Sequence, residues 1–315
     1  MAASKVEGRE KDLAILLPAR RRGVRWLRGD SLVAVLVLSP SIVAVLVFIY
    51  AFMVWTFYAS VSVWNTVVPD YTFVGLRNFA RLLDTDRFLI DLHNILVFTV
   101  LILVECIVVG FLLAVILDQK IKGEAIFRTI FLLPFAVSAI VTGVAWRWLM
   151  NPNSGIDLLF SKVGLGFIHS NWFADQNFGI GAVTIAVAWQ MSGYVMALYL
   201  AALRGIPSEL REAAEIDGAN GVALYRYVIV PMLAPVTYTV VVIVGGIALR
   251  AFDIIASMTS SGPAFADDTL AYFMFQSTFL DNRFALGAAI AVVMLILAAV
   301  LTVPYLIGVS REVEA

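Results

Sequence analysis

The sequence predicts an all-α polytopic membrane protein with six transmembrane helices and both termini in the cytoplasm. Hydrophobic residues make up 61% of the 315 residues and charged residues 14%, whereas soluble domains carry about 25% charged residues. Mean hydropathy is +0.92, and six long stretches are almost free of ionisable side chains. This composition excludes an ordinary soluble enzyme, a secreted disulfide scaffold and a disordered tail protein.

Six apolar stretches define the predicted spans. A helix needs about 20 mostly apolar residues to cross about 30 Å of hydrocarbon. Five of the stretches contain no Asp, Glu, Lys or Arg, and the sixth contains only Glu105. They are continuously apolar rather than alternating, which favours helices over barrel strands. Within a transmembrane domain at 31–310, the predicted spans are residues 32–59, 95–117, 126–148, 180–203, 231–254 and 285–308.

The distribution of Lys and Arg predicts the orientation. Fifteen of these residues fall in the segments that alternate spans place on one side, and five fall in the opposite loops. Because cytoplasmic loops carry the excess of positive charge, both termini are predicted to be cytoplasmic. Residues 1–30 are then a basic cytoplasmic arm, and residues 311–315 a cytoplasmic tail. The apolar run after the arm is too long for a cleavable signal peptide.

The segment between the fourth and fifth spans has the signals of two short helices. Pro207 and Ser208 make a helix start, where the serine oxygen can accept an unpaired backbone N–H. Glu209 lies in the first turn, where the helix dipole favours negative charge. Gly218 permits a left-handed stop, and Asn220 can cap a second short helix.

The first of these helices has the composition of a docking element. Ala213 and Ala214 leave it thin enough for another protein's backbone to approach closely. Acidic residues that could pair with a basic partner surround them: Glu212, Glu215 and Asp217. A solvated loop with ordinary caps is the alternative, but it does not account for a pair of small residues flanked by acids.

The spacing of this segment resembles a known family signature. Glu212-Ala213-Ala214, three residues, Gly218, nine residues and then Val228-x-Val230-Pro231 is similar to the EAA–G–I-x-LP signature of ABC-importer permease subunits. Val228 stands where Ile is usual and Val230 where Leu is usual, and both keep a branched apolar side chain. Further segments over roughly 30–310 resemble sugar-importer permeases of the maltose and α-glucoside type: Asn94–Leu117, Phe127-Arg128-Thr129…Leu133-Pro134, Trp146…Asn151-Pro152…Gly155 and Phe252-Asp253…Met258-Thr259…Gly262-Pro263.

The resemblance implies a transport subunit that works in an assembly. It implies that the loop 204–230 contains a coupling helix seated in a groove of a cytoplasmic ATPase, with the contacts made by Glu212, Ala213, Ala214, Asp217 and Gly218. The implied partners are a second homologous permease, two copies of the ATPase, an extracytoplasmic sugar-binding protein and the lipid of a bacterial inner membrane, with no nucleic acid. The sequence contains no Gly-rich P-loop with Lys-Ser/Thr, so ATP and Mg are expected on the ATPase and no cofactor in this chain, which is then not an enzyme.

Polar residues within spans four and five are the candidate substrate contacts. Sugars are held by aromatic faces and hydrogen-bonding side chains, which suits Trp189, Gln190, Ser192 and Tyr194; packing between helices is the alternative. Arg250 and Asp253 are spaced i, i+3, as expected of one helix face, and are either a self-neutralising pair or cavity-facing groups. By the resemblance, Arg250 replaces an Asn, which favours a different hydroxyl pattern or an anionic substituent.

The remaining ionisable residues carry weaker hypotheses. Glu105 is a pathway carboxylate or a carboxyl bonded to a neighbouring helix, and Arg147, between two tryptophans, is typical of an interface anchor. His93, His169 and the single Cys106 have no neighbouring ligands in the sequence, so no metal site is predicted.

Three other functions remain alternatives to a sugar importer subunit. The EAA loop is shared by importers of polyamines, phosphate and glycerol phosphate. A secondary transporter or channel would show internal repeats and midplane carboxylates. A membrane-embedded enzyme would need clustered His, Glu, Asp, Ser or Lys at one depth.

Overall fold

The structure is a computed structural model that describes residues 29–119, 121–151, 154–165, 171–176 and 178–314. Most of the predicted basic arm lies outside the described residues, as do Lys120, Pro152, His169 and Ala315. Within the described ranges the regular elements are helices, and an isolated antiparallel bridge joins Ser62 to Phe73. The prediction of an all-helical fold is confirmed.

The α-helices of the described part are numbered in chain order. They are α1 Gly29–Val45, α2 Phe52–Ser60, α3 Arg77–Leu83, α4 Asp86–Asp118, α5 Glu124–Leu132, α6 Ala139–Leu149, α7 Ile156–Lys162, α8 Gly179–Gly205, α9 Ser208–Ile216, α10 Gly221–Leu224, α11 Val230–Met232, α12 Ala234–Ala248, α13 Asp253–Met258, α14 Leu270–Phe275 and α15 Phe284–Glu314. Short 3₁₀ turns cover Leu133–Ala136, Trp172–Ala174 and Pro263–Phe265, and π-helical turns cover Leu46–Ala51, Tyr225–Ile229 and Gln276–Leu280.

The chain divides into two compact units, residues 1–54 and 55–315. In the first unit, α1 runs into the π-helical turn, and its large apolar side chains from Val35 to Phe52 are exposed. A helix that is apolar all round suits a lipid environment. The second unit holds the packed bundle, which includes the segment 204–230 and the predicted substrate residues.

Four helices are long and apolar enough to cross a membrane, or up to six if each of two bent pairs is one span. The four are Val35–Ser60, Asp86–Asp118, Gly179–Gly205 and Phe284–Gly308. The predicted spans 126–148 and 231–254 are not single straight helices: Glu124–Ala136 meets Ala139–Leu149 at 98°, and Gly221–Met232 meets Ala234–Ala248 at 63°. The sequence analysis predicted the two spans but not the bends within them.

A proline lies at each of the two bends. Pro134 lies in the 3₁₀ turn after α5, and Val137 beyond it is extended, with φ −79° and ψ 139°. Gln190 of α8 donates from Nε2 to the Val137 carbonyl at 2.6 Å, which satisfies a backbone acceptor that the break leaves without a helical partner. Pro235 follows the second break, and proline cannot donate the N–H that a continuous helix requires there.

Helices α4 and α8 form the centre of the core. Ile95, Phe98 and Ile102 on α4 have no exposed surface, and neither do Val183 and Ala186 on α8. A Cβ added at Gly110 would lie 2.7 Å from Val195 Cγ1. Only glycine therefore allows this close approach of the two helices, which pack as one tight pair.

Candidate functional site

Helix α9 rests on the bundle with one face and exposes the other. Arg211 and Ala214 are half-buried on the inner face, and Ala214 packs against the hydrophobic core. Glu212, Ala213 and Asp217, predicted as coupling residues, are exposed together with Glu215. The acids therefore point away from the protein and make no ion pair within its described residues.

The end of α9 has the predicted left-handed stop. Gly218 has φ +86°, and the space where its Cβ would be is open. Gly218 N donates to Glu215 O at 3.0 Å and Ala219 N donates to Ala214 O at 2.9 Å, which closes the helix. The left-handed backbone, rather than crowding, explains the glycine.

The helix start differs from the sequence prediction, whereas the second cap agrees with it. Pro207 is the N-cap of α9, and no side chain caps this end, so Ser208 does not have the predicted capping role. Asn220 Oδ1 accepts a hydrogen bond from Ala223 N at 2.9 Å and so caps α10 as predicted.

Three large apolar side chains are exposed near the acids of α9, and the sequence analysis did not identify them. Ile216 is 86% exposed, Val222 78% and Tyr227 72%. Large exposed apolar surface marks a site that contacts a protein or a membrane, and Ile216 lies between Glu215 and Asp217 in the sequence. Ile216 could have been found from the sequence, because it is apolar between acids at the end of an otherwise polar helix.

Two arginines tie the helices together at the end of the bundle that carries α9. Arg211 Nη1 lies 3.0 Å from Asp118 Oδ2, and Arg211 Nη2 donates to Leu203 O at 2.8 Å. Arg204 Nη2 lies 2.8 Å from Glu124 Oε2. We call these four side chains, Asp118, Glu124, Arg204 and Arg211, the basal junction.

Three of the predicted substrate residues line one cavity. Gln190, Arg250 and Asp253 surround a volume of about 120 Å³ together with Phe252. Arg250 Nε donates to the carbonyl oxygen of Gly246 in α12, 3.0 Å away. The cavity thus offers an amide, a guanidinium, a carboxylate and an aromatic ring, which is the chemistry that a polyhydroxylated ligand needs.

Arg250 and Asp253 are not on one helix face as predicted. Helix α12 ends at Ala248, Arg250 lies in the turn that follows, and Asp253 begins α13. Ala251 N donates to Ala248 O at 3.0 Å, which turns the chain at this point. The two side chains reach the same cavity because of this turn, and not because of helical spacing.

Two other predicted residues line a different, larger cavity. Trp189 and Ser192 bound a volume of about 650 Å³ that Glu105 and Pro134 also line. Glu105 Oε1 accepts a hydrogen bond from Thr184 Oγ1 at 3.1 Å, in agreement with a carboxyl bonded to a neighbouring helix. Trp189 meets the Trp146 ring edge-on at 5.9 Å.

Tyr194 joins neither of these two cavities. Its ring stacks on Phe135 with centroids 4.8 Å apart and an interplanar angle of 16°. This contact places Tyr194 against the bend of the third predicted span, in a packing role. The four polar or aromatic residues of α8 therefore divide among two cavities and one aromatic contact.

The structure brings together a buried charged cluster that the sequence analysis missed. Arg87 Nε donates to Asp268 Oδ2 at 2.8 Å, and Arg87 also bonds Gln276 and lies over the rings of Phe265 and Phe273. Asn94 Nδ2 donates to Phe265 O and Asp268 O. Partners 181 positions apart leave no local signal in a sequence.

The loop 259–269 holds two buried carboxyls next to each other. Burial raises the pKa of Asp267 to about 7; the Thr259 hydroxyl partly offsets this, and the negative charge of Asp268 adds to it. Burial also raises the pKa of Asp268, and the Arg87 guanidinium opposes that change. The loop therefore carries a carboxyl that titrates near neutral pH.

No group of three or more His, Cys, Asp or Glu side chains among the described residues is arranged to hold a metal ion. His93 is exposed and Cys106 is buried. Arg147 is exposed at the end of α6 beside the exposed Trp148, as an interface anchor would be.

A bundle of apolar helices that exposes one face of the short helix α9 has the architecture of a transport subunit that docks another protein. Residues 106–309 match the family described as binding-protein-dependent transport system inner membrane component. The chain belongs to this family. It is an integral membrane subunit of an ABC transporter.

Curated relatives cover most of the chain. The chain is 40% identical over 273 residues to a probable ABC transporter permease of Pyrococcus horikoshii, with 86% of this chain and 94% of the relative covered. It is 37% identical to the xylose/arabinose import permease of Haloferax volcanii, covering 76% of this chain and 75% of that one. It is 31% identical to the trehalose/maltose transport system permease of Thermococcus litoralis, covering 86% and 91%.

A solved structure has the same fold. It is a bacterial ABC transporter involved in the import of the acidic polysaccharide alginate, with a TM-score of 0.75, 21% identity, and coverage of 91% of this chain and 97% of that chain. At this identity the likeness concerns the fold.

Proposed function

We propose that this chain forms one half of the translocation pathway of an ATP-driven sugar importer. Both termini and α9 lie on the cytoplasmic side, and a separate ATPase supplies the energy. The excess of Lys and Arg in the segments assigned to that side supports the orientation. The bent pairs Glu124–Leu149 and Gly221–Ala248 each count as one span, which makes six.

The observation that carries the proposal is the two-sided character of α9. Arg211 and Ala214 hold the helix to the bundle, while Glu212, Asp217 and the 86% exposed Ile216 face outward. A rigidly held helix can transmit a displacement, and its exposed acids fit a groove lined with basic residues. Ala213 and Gly218 keep this face small, so that the groove can enclose it.

The assembly follows from the same surface. One α9 per subunit docks one ATPase, so a second homologous permease and two ATPase copies complete a two-fold arrangement. ATP and Mg bind the ATPase, and this chain is not catalytic. A binding protein on the other side of the membrane delivers the sugar; the description of the family as binding-protein-dependent supports the need for such a protein.

The substrate class rests on the cavity chemistry and on the relatives. Gln190, Arg250 and Asp253 provide donors and acceptors around an aromatic wall, which suits sugar hydroxyls. Relatives at 37% and 31% identity are named for xylose/arabinose and for trehalose/maltose. Trp189 and Ser192 line the larger cavity and contribute to an earlier or later position of the sugar along the path.

The test is uptake by proteoliposomes that contain this chain, its partner permease, the ATPase and the binding protein. The panel is labelled xylose, arabinose, maltose and trehalose. We expect ATP-dependent accumulation of at least one sugar, and none when the ATPase or ATP is left out. Accumulation by this chain alone, driven by an ion gradient, would refute the proposal.

A second candidate substrate is glycerol 3-phosphate. The terminal nitrogens of Arg250 are not ion-paired within the described residues, and a guanidinium suits a phosphate. The chain is 29% identical to an sn-glycerol-3-phosphate permease of Agrobacterium fabrum. Adding this compound to the panel decides between the two: uptake of it without uptake of any sugar selects the phosphate ester.

A further inference from the structure

Arg211 lies where the ends of two long helices meet α9. Asp118 is the last residue of α4, and Leu203 is two residues before the end of α8. The guanidinium contacts Asp118 Oδ2 at 3.0 Å through Nη1 and the Leu203 carbonyl at 2.8 Å through Nη2. One side chain of α9 thus joins both helices.

The electrostatics of this position favour a cation. The carboxyl end of a helix carries partial negative charge, and here two such ends converge beside a carboxylate. The Asp118 side chain is 11% exposed and that of Arg211 28%, so solvent screens this pair less than it screens an exposed one. The planar guanidinium satisfies both acceptors at once, which a lysine would do less well.

The covalent connection reaches only one of the two helices. Helix α8 continues into α9 through residues 206 and 207, so a displacement of α9 pulls α8 directly. Helix α4 is separated from α9 by 93 residues along the chain at this pair. The Arg211–Asp118 ion pair is the direct polar link from α9 to α4 within the described residues.

We propose that Arg211 is a positioning residue that carries the movement of α9 to α4, so that α4 and α8 swing as one body. This inference rests on the proposed coupling to an ATPase. The tight α4–α8 contact at Gly110 joins the two helices within the bundle, and Arg211, which binds both Asp118 and the Leu203 carbonyl, joins them at the end where the force enters.

The test measures ATP hydrolysed per substrate molecule imported by the complete transporter, with the uptake panel above supplying the sugar. Arg211→Gln and Asp118→Asn should raise this ratio at least about five-fold, within the range typical of coupling between sites. ATP hydrolysis continues because the docking face is intact. Arg211→Lys keeps the charge and should recover part of the coupling.

Glu124→Gln is the matched control. Glu124 pairs with Arg204 of α8 at 2.8 Å at the same end of the bundle and forms no ion pair with α9 within the described residues, so this variant should keep the wild-type ratio. Asp118→Asn leaves the Arg211–Leu203 bond in place and so guards against a folding defect in Arg211→Gln.

The outcomes separate the two proposals. An unchanged ratio in both Arg211→Gln and Asp118→Asn overturns the role of Arg211, and so does a parallel fall of hydrolysis and uptake, because a structural contact alone would lower both. If the wild-type chain does not assemble with an ATPase at all, the proposed function fails before the ratio is measured.

Discussion

Replacing Asp267 with Asn should remove a pH dependence from the stability of this protein. Asp267 lies in the loop 259–269, outside every candidate span, and has no exposed surface. Burial raises its pKa from 3.8 to about 7. The folded protein therefore keeps the proton at pH values where the unfolded chain has already lost it.

The sign and size of the effect of pH on stability follow from the difference between the pKa of Asp267 in the folded and in the unfolded state. Because the folded state binds more protons than the unfolded state between about pH 4 and pH 7, stability falls as pH rises through this window. Each pKa unit corresponds to about 1.4 kcal/mol, so the two units between about pH 5 and pH 7 amount to roughly 3 kcal/mol. Asn at this position carries no proton to lose.

The assay is thermal unfolding of the purified protein in detergent at about pH 5 and about pH 7. The wild type should lose more stability than Asp267→Asn between the two conditions, and the fixed cost of a buried amide cancels in that comparison. The exposed Asp281 provides the control variant Asp281→Asn, which should follow the wild type. Equal losses for the wild type and Asp267→Asn would refute this account of the loop.

Three further variants test the other parts of the account. Gly218→Val places a β-branched residue at φ +86°, which costs about 1–3 kcal/mol locally. Uptake should be abolished while immunoblots show a normal amount of the protein in the membrane, and normal uptake would contradict the coupling assignment. Gly110→Val inserts atoms 2.7 Å from Val195 and should lower the stability measured by thermal unfolding by about 1–3 kcal/mol. Gly308, whose added Cβ would meet open space, provides the control variant Gly308→Ala, and its stability should not fall. Arg250→Gln should change the relative uptake of the panel compounds without changing ATPase assembly, and an unchanged preference would remove Arg250 from the substrate path.

The helical fold and the shape of α9 were predictable because their signals are local. Apolar runs report membrane-spanning helices wherever each residue independently prefers lipid to water. The stop at Gly218 and the cap at Asn220 depend on residues within one helical turn, and both appear as expected. Similarity to known permeases added the relation to an ATPase, which no local pattern contains.

The bends and the cavities were not predictable because they depend on distant partners. Pro134 marks a weak point in an apolar run, but the 98° angle depends on packing against α8, where Gln190 binds the freed carbonyl of Val137. The same bond draws Gln190 toward the break, while Tyr194 stacks on Phe135. Composition along α8 therefore identified candidate contact residues, but not their division among two cavities and one aromatic contact.

The charged contacts at the two ends of α4 were missed for a related reason. Arg87 meets Asp268, and Asp118 meets Arg211, across 181 and 93 positions of sequence. In the count of Lys and Arg that predicts the orientation, Arg211 contributes only one positive charge. In the structure its side chain connects α9 to α4 and α8. Only the three-dimensional arrangement distinguishes the two.

Cross-linking from position 216 tests the central claim most directly. Ile216→Cys places a thiol on the exposed face of α9, and the native Cys106 is buried, so a reagent with one thiol-reactive and one photoreactive group should act from the new site. In the assembled transporter we predict a cross-link to the ATPase whose yield changes when ATP is added. A thiol at 216 that reacts with a membrane-impermeant reagent from outside the cell, and never joins the ATPase, would contradict the account.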